Sequence, residues 1–193
     1  MIQISEFFTS IQGEGSKAGT IMFFVRVQGC SVGCSFCDTK YSWQFHKSNL
    51  VSNEEIVKRA LESYCDWVCI TGGEPLEHDI SSLIDDLKEA GLKVMIETSG
   101  YGKYDCMNAD WIVLSPKDRF SDKKCSLDYF SELKCVVTSK DDVLYYTQKY
   151  KREDCYKSFQ PVNNDGKIAT MLINLKIPNW RITGQQHVLF GLR

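Results

Sequence analysis

The chain reads as an α/β protein built on a partial, open TIM-like barrel of about six parallel strands. Three observations predict it. Short apolar runs alternate with amphipathic stretches of helical period, the pattern of parallel strands joined by crossover helices. The chain has 193 residues, whereas a complete eightfold barrel uses about 250. The motifs rich in reactive side chains follow apolar runs directly, and ligands in such sheets gather at the carboxyl ends of the strands.

The elements follow in order. Ile21-Met-Phe-Phe-Val-Arg-Val27 is a strand. Ser52-Asn-Glu-Glu55 is a capping box that opens a helix with Ile56, Ala60 and Leu61 on one face. Trp67-Val-Cys-Ile-Thr71 is a short buried strand. Ile80, Leu83, Ile84 and Leu87 recur at helical spacing, and Gly91 stops that helix. Leu92–Glu97, Trp111–Ser115 and Leu133–Val137 are strands, Asp141–Tyr150 is helical, and Lys157–Gln160 is a sixth strand. No Gly/Ser linker, repeat or low-complexity stretch divides the chain. One domain over residues 1–193 is expected, with an N-terminal loop region at 1–20 and a C-terminal tail that closes the site.

Bulk properties exclude several classes. A net charge of -2 leaves no basic footprint for nucleic acid. No apolar run reaches 18 residues, so no membrane span is expected, and the start Met1-Ile-Gln-Ile-Ser-Glu lacks a secretory pattern. Nine cysteines is an odd number in a chain with ample core residues, which argues against a disulfide scaffold. Reduced thiols and a cytoplasmic location are expected.

The densest chemistry is Cys30-Ser-Val-Gly-Cys34-Ser-Phe-Cys37. Three thiolates on one tight loop hold three irons of a [4Fe-4S] cubane and leave the fourth open, and an open position is where metal sites react. A zinc site needs a fourth ligand, usually in a second pair, and no C-x2-C partner follows. Cys69 and Cys135 lie in apolar runs and are read as small core residues.

Other motifs end strands. In Thr71-Gly-Gly-Glu-Pro75 the glycines let backbone approach a ligand, and Glu74 offers a carboxylate to an ammonium group. Ser115-Pro-Lys117 places a hydroxyl and a cation at the same rim. Glu97-Thr-Ser-Gly100 and Gln160-Pro161 end two more strands. Phe8-Thr-Ser-Ile-Gln-Gly-Glu-Gly15 is a glycine-rich loop carrying Gln12 and Glu14. Arg26 sits in an apolar strand, where an unpaired charge is costly, so it wants an anion: Glu14 or a substrate carboxylate. Thr39, after Asp38, offers a hydroxyl to Mg2+. His187 stands beside an apolar run near the C-terminal Arg193.

FTSIQGEG, Arg26, C-x3-C-x2-C-D-T, TGGEP, ET-x-G, SPK, QP and the terminal H-x3-GLR occur here in that order. From about residue 6 to the C-terminus, this set resembles the 7-carboxy-7-deazaguanine synthase family of the radical S-adenosylmethionine (radical SAM) superfamily. The resemblance implies a radical SAM core with Cys30, Cys34 and Cys37 on a [4Fe-4S] cluster. It implies SAM lined by Phe36, Cys37, Asp38, Gly73, Glu74, Ser115, Pro116, Lys117 and Gln160. It implies a pterin, 6-carboxy-5,6,7,8-tetrahydropterin, held by Ile11, Gln12, Gly13, Glu14, Arg26, Thr71 and Arg193, with Mg2+ on Thr39. The activity implied is that of a carbon–nitrogen lyase of deazapurine (queuosine-type precursor) biosynthesis: radical ring contraction to 7-carboxy-7-deazaguanine with loss of ammonia. A flavodoxin- or ferredoxin-like electron donor and a homodimer are also implied. Glu14 and His187 are the candidate proton-transfer groups. The family's ET-x-G varies, and Ser99 carries no assigned contact. The stretch between Cys37 and Ser52 is short, with little room for an added helix. Two other readings fit the cysteine motif alone: a glycyl-radical activating enzyme, and a non-enzymatic iron–sulfur or zinc module.

Overall fold

The computed structural model describes residues 1–45 and 49–193, so part of the short stretch before Ser52 lies outside the described residues. The strands are β1 (Ile2–Ile11), β2 (Ile21–Val27), β3 (Leu50–Val51), β4 (Trp67–Gly72), β5 (Lys93–Thr98), β6 (Trp111–Leu114), β7 (Glu132–Val137), β8 (Tyr156–Pro161) and β9 (Arg181–Ile182). The helices are α1 (Asn53–Glu62), α2 (Ser81–Glu89), α3 (Lys140–Lys149), α4 (Gly166–Leu175) and α5 (Gln186–Leu189). Among the described residues the strands form one sheet in the order β3-β1-β2-β4-β5-β6-β7-β8-β9. Every neighbouring pair from β2 to β9 is parallel. The six expected strands are all present within that parallel run, and the partial barrel is borne out.

The expected helices are present with small differences at their ends. Ser52 Oγ caps α1 by accepting from Glu55 N at 3.3 Å, but the Glu55 carboxylate takes Arg59 Nε at 2.7 Å. The complete capping box is at α3, between Ser139 and Asp142. Gly91 ends α2 at φ 84°, a conformation that favours glycine.

The N-terminal strand was not expected. Phe8–Ile11, read above as part of a glycine-rich loop, is the end of β1, which pairs antiparallel with β2. A register shift between Ile4 and Glu6 breaks the period-2 pattern there. Ile2 and Ile4 face the helix-side core, Phe7 packs on the same side, and Phe8 turns to the interior. Phe8 stacks on Phe24 with ring centroids 4.8 Å apart. α4, α5 and the short strands β3 and β9 were also not expected.

Alternation along the parallel strands sorts two cores. Val25, Ile70, Ile96, Ile112, Leu133 and Phe159 face the helices. Met22, Phe24, Cys69, Met95 and Val113 fill the interior, with Trp67 and Trp111 packed against them. Two residues further along the same faces come Arg26, Thr71, Glu97 and Ser115, joined by Lys134 of β7 and Gln160 of β8. Beyond its apolar base the barrel interior is therefore polar.

The β1–β2 loop closes the amino end of this barrel. The hairpin ends at the Ile11–Ile21 pair, level with the starts of the parallel strands. Ser16 N and Oγ donate to the buried Glu132 carboxylate at 3.1 and 2.5 Å, and Trp111 Nε1 donates to it at 3.2 Å. Lys17 Nζ lies 4.1 Å from the Trp111 ring centroid and 4.9 Å from that of Trp67. Gly15 has φ 68°, and a Cβ there would sit 1.9 Å from Glu132 Oε1, so the turn requires glycine.

Candidate active site

The cysteine loop leaves the carboxyl end of β2 and is held at its base. Buried Gln28 donates from Nε2 to Tyr41 O at 3.2 Å and Gln44 O at 2.6 Å. Gly29 N and Cys30 N donate to Ser42 O and Trp43 O at 2.7 and 3.0 Å. The 115–126 segment packs on the loop through Ser121 Oγ, which donates to Val32 O at 2.8 Å, and through the edge-on Phe36–Phe120 contact at 4.7 Å.

The glycines of Thr71-Gly-Gly-Glu-Pro75 serve this loop. A Cβ on Gly73 would lie 2.2 Å from Gly29 O, and one on Gly72 would lie 2.5 Å from Val27 Cγ2. Besides lining the cavities at the strand ends, they allow close approach to the protein's own backbone and side chains. Glu74 is held in turn. Its carboxylate accepts from Leu76 N at 3.0 Å, Ser99 N at 2.8 Å, Ser99 Oγ at 2.5 Å and the Thr98 hydroxyl. Four donors match the roughly four lone-pair sites of a carboxylate. Glu74 thus ties the turn after β4 to the β5 exit. Burial pushes its carboxyl up, partly offset by those hydrogen bonds. Ser99, given no contact above, makes two of the four.

Two adjoining cavities open at the carboxyl ends of the strands. The first is lined by Cys30, Cys34 and Cys37, by Phe36, Asp38, Gly73, Glu74, Ser115, Lys117 and Gln160, and by Trp43, Ser99, Lys134 and Asn163. The second is lined by Ile11, Gln12, Gly13, Arg26, Thr71, His187 and Arg193. Glu14, Asp38, Thr39, Gly72, Glu97 and Gln185 line both and form the wall between them. Of the residues expected for the cofactor, Phe36, Cys37, Gly73, Glu74, Ser115, Lys117 and Gln160 line the first cavity alone, and of those expected for the substrate, Ile11, Gln12, Gly13, Arg26, Thr71 and Arg193 line the second alone, while Asp38 and Glu14 line both. Pro116 lines neither cavity; it is buried, and its carbonyl accepts from Tyr146 OH at 3.1 Å.

Among the described residues no three His, Cys, Asp or Glu side chains converge tightly enough to hold a single metal ion. A cubane takes one thiolate per iron, so its ligands need to share a cavity rather than a point. The three thiols meet that requirement. Burial pushes the Cys30 thiol up to about 12 and raises that of Cys34 against the pull of Lys117. Thiolates in such a place need a compensating cationic centre, which an iron–sulfur cluster supplies. Trp43 Nε1 donates to Cys37 Sγ at 3.3 Å. Gln160 Oε1 is buried with no partner among the described residues, an acceptor left for a ligand.

The ion pairs differ from the expectation. Arg26 Nε donates to Glu6 Oε1 at 2.8 Å, directly across the β1–β2 register, and its Nη1 donates to Gly72 O at 3.1 Å. Glu6, not Glu14, is the anion beside Arg26, because the register shift in β1 turns Glu6 toward β2. Tyr41 OH also donates to Glu6 at 2.6 Å, and Arg193 Nη2 forms an ion pair with it at 2.9 Å. Glu14 instead accepts from Lys134 Nζ and from Gln160 Nε2 and Gln185 Nε2, each amide at 2.9 Å. Burial pushes the Glu14 carboxyl up, but the Lys134 ammonium and these donors outweigh it and hold it at about 2. Such a group is an acceptor at neutral pH rather than a proton donor. Lys134, Glu97 and Gln185 were not among the expected site residues. Lys134 carried the same signal as Arg26, a cation inside an apolar strand.

The C-terminal tail crosses the mouth of the second cavity. Gln186 N donates to Gly13 O at 2.9 Å, Gly15 N to Thr183 Oγ1 at 2.9 Å, and Ser10 Oγ to Arg193 O at 2.6 Å. Asn164, in the left-handed region at φ 54°, accepts from Gln185 N at 2.8 Å. The His187 ring lies against Gly13, where a Cβ would sit 1.8 Å from Nδ1.

This parallel partial barrel, with three cysteines on the loop after its first parallel strand, defines a radical SAM core. A family profile described as "4Fe-4S single cluster domain" matches residues 11–140. The chain is 34% identical to the 7-carboxy-7-deazaguanine synthase of Bacteroides thetaiotaomicron, with all of both chains covered. It is 32% identical to that of Buchnera aphidicola, covering 98% of each chain. It is 34% identical to that of Synechocystis, covering 98% of this chain and 93% of the relative. The crystal structure of QueE from Escherichia coli superposes with a TM-score of 0.83 at 29% identity, covering 96% of this chain and 94% of the other. The chain belongs to the 7-carboxy-7-deazaguanine synthase family of radical SAM enzymes. Neither the glycyl-radical activating enzyme nor the non-enzymatic module describes it.

Proposed function

We infer that this protein converts 6-carboxy-5,6,7,8-tetrahydropterin to 7-carboxy-7-deazaguanine by radical ring contraction with loss of ammonia. The observation that carries the reading is the shared wall between a cysteine-lined cavity and one lined by Gln12, Arg26, Thr71, His187 and Arg193. In this reading Cys30, Cys34 and Cys37 hold the cluster, and SAM lies along Phe36, Asp38, Gly73, Ser115, Lys117 and Gln160. Bound there, the cluster and SAM would supply radical chemistry toward a C–H bond of the substrate. The protein's part is to hold a single C–H bond at the shared wall and to exclude water.

Each residue has a task. Gln12 and Glu14 rise from the floor loop and Glu97 from β5, giving an acceptor-rich surface that suits the N–H edge of a pterin. Arg26 and Arg193, both paired to Glu6, bring cationic character for a carboxylate. Among the described residues the Thr39 hydroxyl meets Cys37 Sγ and Gly72 O at 3.5 Å each, which leaves it a lone pair for Mg2+ beside the Asp38 carboxylate. His187, held by the tail, covers the substrate.

The same reading extends to the surroundings. Half-buried Cys30 and Cys37 put the cluster within reach of a small flavodoxin- or ferredoxin-like donor. Exposed Leu189, Phe190 and Leu192 offer an apolar face for a homodimer. All nine cysteines are free, in keeping with a reducing cytoplasm, and no helix of the described residues is long and apolar enough to cross a membrane. The chain acts as one domain.

The test is anaerobic turnover of the reconstituted protein with reductant, SAM, Mg2+ and the carboxytetrahydropterin, read by mass spectrometry. The expected result is 7-carboxy-7-deazaguanine without stoichiometric loss of SAM. SAM cleavage with no deazaguanine product would overturn the substrate assignment.

A further inference from the structure

Lys134 stands inward from the middle of β7 with its side chain only 7% exposed, and its ammonium meets two carboxylates. Nζ donates to Glu97 Oε1 at 2.9 Å and to Glu14 Oε2. These acids come from different parts of the fold: Glu14 from the floor loop, Glu97 from β5. Each has further protein donors. Glu97 accepts from Thr71 Oγ1 at 3.1 Å and Gln12 Nε2 at 3.4 Å, and Glu14 from Gln160 and Gln185. With three protein donors apiece, each carboxylate keeps about one acceptor site for a ligand.

We propose that Lys134 is a positioning residue that keeps Glu14 and Glu97 ionised side by side, so that the shared wall presents two acceptors to an N–H-rich ligand edge. For the identity of that ligand, the pterin, the proposal rests on the function inferred above. Two carboxylates sharing one site do not both stay charged without a cation between them. If Lys134 is removed, one takes a proton, and an acceptor becomes a donor where the ligand also donates. The other charged or titratable groups that line the two cavities are Lys117, Glu74, Cys30, Cys34, Cys37, Asp38, Arg26, His187 and Arg193, with Cys69 beneath them. Arg26 is committed to Glu6 and Gly72, and Lys117 to Ser115, which leaves Lys134 as the bridging cation.

The experiment compares the cluster-loaded wild type with Lys134→Met, Lys134→Arg and the double variant K134M/E97Q. Infrared difference spectra read the carbonyl stretch of a protonated carboxyl, which does not depend on turnover. At pH 7 a new band is expected in K134M and is absent in wild type, in K134R and in K134M/E97Q. In K134M the KM for carboxytetrahydropterin rises about ten- to a hundredfold, the worth of one hydrogen bond to a charged group. That KM falls back as pH is raised and the second carboxylate ionises, while the wild-type KM stays level. A folded K134M with no new band and a KM within about twofold of wild type would overturn the proposal. If K134M does not fold, K134M/E97Q decides: recovery of the folded state supports the electrostatic role, and continued failure refutes it. A new band in K134M together with a wild type that does not bind the pterin leaves the clamp standing and removes the substrate reading instead.

Discussion

Replacing Glu6 by Gln removes the carboxylate through which the N-terminal strand pairs with Arg26 of the barrel and with Arg193 of the tail. The Arg26 and Glu6 side chains are 15% and 14% exposed, so solvent screens them little. Breaking a buried pair by removing one partner costs about 3–5 kcal/mol. The amide keeps the shape and an acceptor, so part of the hydrogen bonding survives, and about 2–4 kcal/mol is expected. Arg193, 70% exposed, adds little to that figure. In a chain of this length the loss lowers Tm by roughly 5–15 °C. The assay is urea and thermal unfolding of wild type, E6Q, R26M and the double variant. The double variant should recover much of the loss, because the uncompensated guanidinium is gone. The pH dependence has a definite sign. Burial raises the Glu6 carboxyl, but Tyr41 and Arg26 outweigh it and leave it below its ordinary 4.5. The stability it contributes is present above about pH 4.5 and is lost as pH falls through the depressed value, so wild type and E6Q converge in acid. A cost below about 0.5 kcal/mol at pH 7 would refute the reasoning and make the substrate carboxylate the partner of Arg26.

Three further outcomes are expected. Gly13→Ala drives a methyl into the His187 ring, so the tail lifts from the second cavity; the KM for the pterin rises about tenfold while Tm moves less than about 2 °C, because the tail lies outside the core. Glu14→Gln flattens the acid limb of stability: with Glu14 held at about 2 against an ordinary 4.5, the wild type loses about 3 kcal/mol between those pH values that the variant never had, as measured by urea midpoints at each pH. Thr39→Val leaves cluster absorbance intact but weakens the response of turnover to added Mg2+ by about tenfold or more in half-saturating concentration; an unchanged Mg2+ titration would remove Thr39 from the metal site.

Much of this protein is legible along the chain because its strands obey local rules. A buried parallel strand is a short apolar run, so β2 and β4 to β8 stand out, and the residues that follow them stand at the rim where ligands collect. The three cysteines are equally local, since one loop holds all of them. β1 escaped this reading because the shift between Ile4 and Glu6 breaks its alternation. The site network escaped it for a different reason. Lys134 meets Glu14 across 120 positions of sequence and Glu97 across 37, and Gln185 reaches Glu14 across 171. An inward cation in Leu133-Lys-Cys-Val-Val137 announces that an anion is needed, just as Arg26 does, but not which one. That choice depends on strand register and on where the floor loop turns. Sequence by itself determined the residue types at the rim and the chemistry they support. Tertiary structure decided the pairings: Glu6 with Arg26, Lys134 between Glu14 and Glu97, and Glu74 with the exit of β5. Local periodicity specifies which face a side chain takes, whereas only the closed sheet brings distant faces within hydrogen-bond reach.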